Sequence, residues 1–238
     1  MHISMKADIK AATAKLTRAQ RKQIPYATSR ALNDTAYQTM VHAKAEAKRR
    51  LRKPVRATLT GIRYKKTNKR DLVSRVFVAD SNEGAGINVA KYLGPQIRGG
   101  SRELKRSEIM LRRRGILPGD KYIAPAPGWM NAAGNIKPGV ITRVLSQLSA
   151  FYIPGSTQNV SGRSKKRAAY IQNAKYFVIP NKGIFTRRGK GIQAVLLFIS
   201  KPTYSIRYPF KKITMSKAAR IFPALMRKHL ATALRTAK

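Results

Sequence analysis

The spacing of apolar positions divides this chain into helical ends and a strand-rich middle. Residues 7–22 combine good helix formers with apolar positions at Ile9, Ala12 and Leu16, and they predict a first helix. Pro25 suits the first turn of a second helix, expected over residues 26–51. Ala27, Ala31, Ala36, Met40, Ala43 and Ala47 give that helix a narrow stripe of small residues, which permits close packing. The stripe gives way to Lys48, Arg49, Arg50, Leu51, Arg52 and Lys53, and Pro54 stops the helix. Cations at this end suit the helix dipole.

Strand periodicity begins at Thr58. Residues 58–64 and 72–79 alternate and predict a hairpin whose tip carries Lys65, Lys66, Lys69 and Arg70. Residues 82–86 read as a loop, and residues 87–93 as a strand or a helical turn. Gly94-Pro95 and Gly99-Gly100 are expected to break any regular element. Residues 101–114 predict a helix with Ser101 at its N-cap and Gly115 at its C-terminal stop. Residues 118–138 are rich in proline and glycine and read as a long ordered loop or strap. Val140, Val144, Leu148 and Phe151 mark an amphipathic helix over residues 140–152.

Residues 156–167 are polar and basic and read as disordered or ordered by a partner. Strands return at residues 176–179, 183–186 and 192–199, the last two joined by a turn containing Arg187, Arg188 and Lys190. Residues 204–210 alternate and suit an edge strand, given Pro209. A terminal helix is expected over residues 216–237, with Ile221, Leu225, His229 and Ala233 four residues apart. Pro223 either kinks it or marks its first turn. The predicted fold is α+β: N-terminal helices, a mainly antiparallel sheet with a loop-rich insertion, and a C-terminal helix. Residues 1–54 form the expected helical region and 55–238 the α+β domain, with the insertion at about 95–175.

Charge changes the picture more than any motif. The 238 residues hold 50 Lys+Arg against 9 Asp+Glu, a formal net charge of +41. All nine acids lie between Asp8 and Asp120, so the remainder carries 22 Lys+Arg and no carboxylate. Such a chain needs a polyanion, an acidic partner or bulk salt to offset self-repulsion, and a mixed-charge soluble enzyme is disfavoured. With 43% hydrophobic residues, disorder is not implied. There is no cysteine, which removes disulfides and thiolate chemistry. The longest apolar run, residues 194–199, is far short of the ~20 residues that span a bilayer, and no membrane association is expected.

Catalytic chemistry finds little support. His2, His42 and His229 do not lie at metal-ligand spacing. A metal-dependent nuclease needs clustered carboxylates, and the local candidates are Asp71, Asp80 and Glu83. Asp71 and Asp80 flank a strand, so they are expected at its opposite ends, as ordinary turn residues. The glycines before residue 101 lack the Gly-Lys-Ser/Thr ending of a P-loop. Neither enzymatic activity nor a cofactor or metal is expected.

The signal is basic clusters interleaved with aromatics. Tyr64 adjoins Lys65 and Lys66, Tyr170 and Tyr176 follow Lys165, Lys166 and Arg167, Phe185 precedes Arg187, and Tyr204, Tyr208 and Phe210 surround Arg207, Lys211 and Lys212. Stacking on bases is one use of such aromatics, and a sheet core is the other. No base-reading motif accompanies them, so backbone contacts without sequence readout are expected. The candidate contact residues are Arg49, Arg50, Arg52, Lys53, Lys65, Lys66, Lys69, Arg70, Lys165, Lys166, Arg167, Arg187, Arg188 and Lys190. At the end of the second helix, a solvated helix terminus explains the cations as well as a phosphate contact does.

Three stretches resemble the tail completion proteins of tailed phages, the minor tail protein Z type. The first is residues 23–59, an Ala-rich helix with an A-L-N-x-T-A element at Ala31, Leu32, Asn33, Thr35 and Ala36 and a basic end before strands. The second is KYLGPQIRGGSRELKRSEIMLRRRGILP with the following GNIKPGVITRVLSQL, and the third is YSIRYPFKKITM before the terminal helix. Together they touch about half the chain. The resemblance implies a structural virion protein, made in the host cytoplasm, that completes the tail or neck at the head–tail junction. It implies a homo-oligomeric ring, for which a hexamer is one candidate, next to portal, connector or tail tube proteins. It further implies contact with the end of the double-stranded genome. Lys65, Lys66, Lys69, Arg70, Arg187, Arg188 and Lys190 are then expected as loop tips near DNA.

Three other classes share some of these features. An RNA-bound structural protein such as a ribosomal protein shares the charge and the lack of cysteine. A DNA-processing enzyme would use Asp71, Asp80 and Glu83. A membrane-active basic protein fits less well, because the Ala-rich stripes are poorly apolar for insertion.

Overall fold

The computed structural model describes residues 2–6, 18–80, 88–151 and 176–236. The fold is α+β. The chain divides into two compact units, residues Met1–Gly99 with Ser205–Lys238, and residues Gly100–Tyr204 between them. The boundary expected at residue 54 falls inside the first unit. The inserted unit begins close to the expected residue 95 but runs to Tyr204, well past residue 175.

In the first unit, strands β1 (His2–Lys6), β2 (Ile62–Lys65) and β3 (Val73–Val78) form an antiparallel sheet in the order β1-β3-β2. Helix α1 (Arg18–Arg50) crosses the sheet, followed by the short helix α2 (Arg56–Thr60). Helix α3 spans Val89–Arg98, and helix α6, the last in the chain, spans Phe210–Arg235. The small-residue stripe is the core: Ala27, Ala31, Ala36, Ala43 and Ala47 are all at most 1% exposed. With no side chain beyond Cβ, these residues let α6 approach closely. His229 meets Asp34 and Tyr208 meets Ala43, so α1 and α6 run antiparallel.

Several expectations change here. Residues 2–6, which precede the first predicted element, form an edge strand, with Ile3 opposite Val76 and buried. Pro25 lies inside α1 rather than in its first turn. Burial of Ile24, Ala27 and Thr28 outweighs the hydrogen bond lost at the proline. Residues 56–60 are helical rather than extended. Gly94 and Pro95 sit within α3, whose N-terminus is capped by the Asn88 side chain accepting from the Lys91 amide. Of residues 204–210, expected as an edge strand, only Tyr204 is in a strand. Tyr208 and Phe210 are fully buried, the Tyr208 hydroxyl donates to the Ala43 carbonyl at 2.9 Å, and α6 begins at Phe210. Pro223 is therefore internal to α6.

In the inserted unit, strands β5 (Tyr122–Pro125), β6 (Tyr176–Ile179), β7 (Gly183–Arg188) and β8 (Gly191–Ile199) form an antiparallel sheet in the order β5-β8-β7-β6. The expected strap at residues 118–138 thus contributes β5. Strands β4 (Gly100–Ser101) and β9 (Thr203–Tyr204) pair at the unit's two ends, so Ser101 is in a strand and not a helix cap. Helix α4 spans Arg106–Arg113. It closes as the sequence implies: Gly115 takes φ 73°, and the amides of Gly115 and Ile116 bond back to the carbonyls of Arg112 and Leu111. Helix α5 spans Pro138–Gln147, ending short of the expected residue 152. A register shift between Ile184 and Phe185 lets the consecutive residues Val195 and Leu196 of β8 both be buried.

Gly183 makes the tightest approach in this sheet. A Cβ there would lie 2.2 Å from the Leu196 carbonyl oxygen, which is backbone and cannot step aside. Gly183→Ala is expected to destabilise the unit by ~1–3 kcal/mol through forced backbone shifts, read as a fall in its thermal midpoint.

Candidate nucleic-acid interface

The carboxylates of the described residues are largely committed within the protein. Glu46 accepts from Arg49 and Arg50 at 2.7–3.1 Å. Hydrogen bonds from these two arginines draw its carboxyl down to about 2. Glu108 is fully buried. It accepts from the Arg102 guanidinium at 2.6 and 2.7 Å and from the backbone amides of Lys105 and Ile123. Burial opposes its ionisation, but these donors outweigh burial and hold its carboxyl below the ordinary value. Asp34 pairs with His229 at 2.7 Å, and Asp120 with Lys121 at 3.4 Å. Over the whole sequence the first unit has 31 Lys+Arg against 6 acids, and the inserted unit 19 against 3. Both units therefore present net positive surfaces.

In the first unit the charge is organised by the β2–β3 ladder. Ser74, Val76 and Val78 point inward and are buried. The pairing Lys65↔Arg75 and Arg63↔Phe77 puts Arg63, Lys65 and Arg75 in the outward rows. Lys65 directly opposite Arg75 is a like-charge cross-strand pair, which is unfavourable unless an anion screens it. The hairpin tip extends this surface with Lys66, Lys69 and Arg70, all exposed.

The tip is held, not loose. The Asn33 amide of α1 donates to the Thr67 carbonyl at 3.0 Å and accepts from the Thr67 amide at 2.8 Å. Thr67 Oγ1 accepts from the Val73 amide, and Asn68 Oδ1 accepts from the amides of Arg70 and Asp71. The lysines flank this anchored Thr67 and point outward. Asn33→Ala leaves both polar groups of the partly buried Thr67 backbone without their partner. A loss of ~1–3 kcal/mol is expected, with faster amide exchange at Thr67 as the readout.

The other sequence candidates separate into distinct places. Arg49, Arg50, Arg52 and Lys53 are exposed at the end of α1, but Arg49 and Arg50 are tied to Glu46. Asn33, which marks the hairpin tip, lies 17 residues before Arg50, so about 25 Å of helix separates these two clusters. Arg187, Arg188 and Lys190 are exposed at the β7–β8 turn of the other unit. Gly189 there takes φ 59°, the position at which a two-residue hairpin requires glycine. Lys165, Lys166, Arg167, Tyr170 and Glu83 lie outside the described residues.

The aromatics do not form a stacking platform. Tyr64 is on the inner side of its sheet, edge-on to Tyr37 at 5.8 Å, and Tyr176 is buried against Trp129. Phe185 stacks on Phe177 at 6.3 Å. Asp71 precedes β3 and Asp80 follows it, at opposite ends as expected. Among the described residues, no group of three or more His, Asp or Glu is placed to hold a metal ion, and no helix is long and apolar enough to cross a membrane.

Sequence reasoning missed Asn33, Arg63, Arg75, Lys137 and Arg143. The first three left a signal: Asn33 stands in the A-L-N-x-T-A element, and period-2 alternation aligns Arg63, Lys65 and Arg75 once the hairpin register is set. Lys137 and Arg143 come together with Arg187 and Arg188 only through tertiary structure. No protein-family model, curated protein or solved structure matches the chain.

Proposed function

We propose that this chain is a structural protein of a tailed-phage virion, completing the tail or neck at the head–tail junction as a homo-oligomeric ring and contacting the genome end through its basic surfaces. The observation that carries the DNA contact is the outward basic face of the β2–β3 hairpin, anchored by Asn33 and charged beyond what the protein's own carboxylates offset. Rigid, repeated cations suit a regular polyanion and carry no base-reading geometry. The placement in a virion rests on the resemblance of residues 23–59, of the central segment around α3 to α5 and of the stretch leading into α6. Neighbours in this reading are portal, connector or tail tube proteins.

Particles assembled with and without the chain test the placement. The expected result is its presence in purified virions, with unjoined heads and tails accumulating when it is deleted. Its recovery with ribosomal RNA instead of particles would overturn the reading in favour of an RNA-bound structural protein.

A further inference from the structure

We propose that a groove in the inserted unit, between the first turn of α5 and the β7–β8 hairpin, binds the phosphodiester backbone of a nucleic acid strand. The groove encloses about 490 Å³ and is bordered by Lys137, Arg143, Arg187 and Arg188. These cations come from two separate elements that converge only in the folded unit. No carboxylate lines the groove, and the chain has none after Asp120.

Three details fit a phosphate-bearing chain. The first turn of α5 lies at the groove and holds no acidic residue, so the positive end of the helix dipole adds to the cations. Arg143 Nε donates to the Gly139 carbonyl at 3.0 Å, which fixes the guanidinium along that turn. The other wall is a sheet hairpin, so Arg187 and Arg188 project from a rigid strand end. Four cations in one groove exceed what a single phosphate can pair, and a run of successive phosphates matches them. The inference rests on the reading of the chain as a DNA-contacting protein, but assigns a site in the second unit that the hairpin of the first does not supply.

Binding of the full chain to a short duplex, a single strand of the same length and inorganic phosphate, each over a salt series, tests it. The neutralising set Lys137→Gln, Arg143→Gln, Arg187→Gln and Arg188→Gln is compared with Arg106→Gln, Arg114→Gln, Lys182→Gln and Lys201→Gln. The second set removes the same charge from exposed positions of the same unit outside the groove. The groove set is expected to flatten the log affinity–log salt slope by about 3–4, at roughly 0.7–0.9 for each phosphate no longer neutralised, and the control set by less than half of that. Equal effects of the two sets would overturn the proposal in favour of net charge alone. Displacement of either oligonucleotide by inorganic phosphate at equal concentration would overturn the strand in favour of a free anion.

Capture of a polyglutamate peptide in preference to both oligonucleotides would overturn it in favour of an acidic protein. The double variant Arg187→Lys with Arg188→Lys, which retains charge, is expected to keep most of the slope, and loss of the slope there would also overturn the proposal. If the groove set changes nothing while Lys65, Lys66, Lys69 and Arg70 variants do, the groove fails and the broader reading stands. If neither changes the slope, both fail.

Discussion

Charge reversal of Lys65, Lys66, Lys69 and Arg70 to glutamate is expected to flatten the salt dependence of DNA binding by roughly 3–4 in log–log slope, at about 0.9 for each phosphate no longer neutralised. All four side chains are exposed on a hairpin tip that Asn33 and Thr67 hold in place. Reversal therefore removes surface cations without opening a core, and the thermal midpoint should stay close to that of the parent chain. A small gain in stability is the expected side effect, because Lys65→Glu replaces the like-charge pair with Arg75 by an attractive one. In an assembling phage the same variant should impair genome retention or tail joining. Intact packaging and joining would remove these residues from the proposed DNA-binding surface.

Loss of Glu108 is expected to be the most destabilising single change in the inserted unit. Its carboxylate is fully buried and satisfies Arg102, itself mostly buried, together with the Lys105 amide at the N-cap of α4 and the Ile123 amide of β5, which joins the helix to the sheet. Glu108→Ala leaves the Arg102 guanidinium without its counter-charge, with only the Glu103 and Ile123 carbonyls to accept from it, and leaves those amides without an acceptor, at a cost of ~3–5 kcal/mol. The pair Arg102→Met with Glu108→Leu removes both charges and should recover part of that loss, which separates an unpaired charge from lost packing. The pH dependence has a fixed sign. Glu108 is held below its ordinary value in the folded chain, so its contribution is complete above the unfolded carboxyl range near ~4.3 and declines as pH falls below it. Glu46, drawn down to about 2, acts in the same direction in the first unit. Stability should therefore decline on acidification, and Glu108→Gln should flatten the decline in the inserted unit.

The elements legible in the sequence are those whose signal is local. The alanine stripe of α1, the two basic hairpins and the glycine stop after α4 each follow from periodicity or a single conformational demand, and each stands in the structure. What was not legible depends on burial against distant partners. Pro25 and Pro95 read as boundaries, yet both lie inside helices, where tertiary packing outweighs a missing amide donor, and of the two readings of Pro223 the structure has the internal one. Tyr208 and Phe210 alternate like strand residues, but their role is to cap the packing of α1 on α6, set by a hydrogen bond spanning 165 positions. The basic sites divide the same way. Lys65 and Arg187 stand out as clusters in the chain, whereas Lys137 and Arg143 are isolated cations until α5 packs beside the β7–β8 hairpin.

The salt dependence of full-length chain binding to duplex DNA is the decisive measurement. If the hairpin face and the groove both meet phosphates, log affinity should fall with log salt at a slope of roughly −4 to −7, about −0.9 for each phosphate neutralised. A slope near zero, unchanged by charge reversal at Lys65, Lys66, Lys69 and Arg70, would contradict DNA binding by these surfaces and assign the excess charge to acidic protein neighbours.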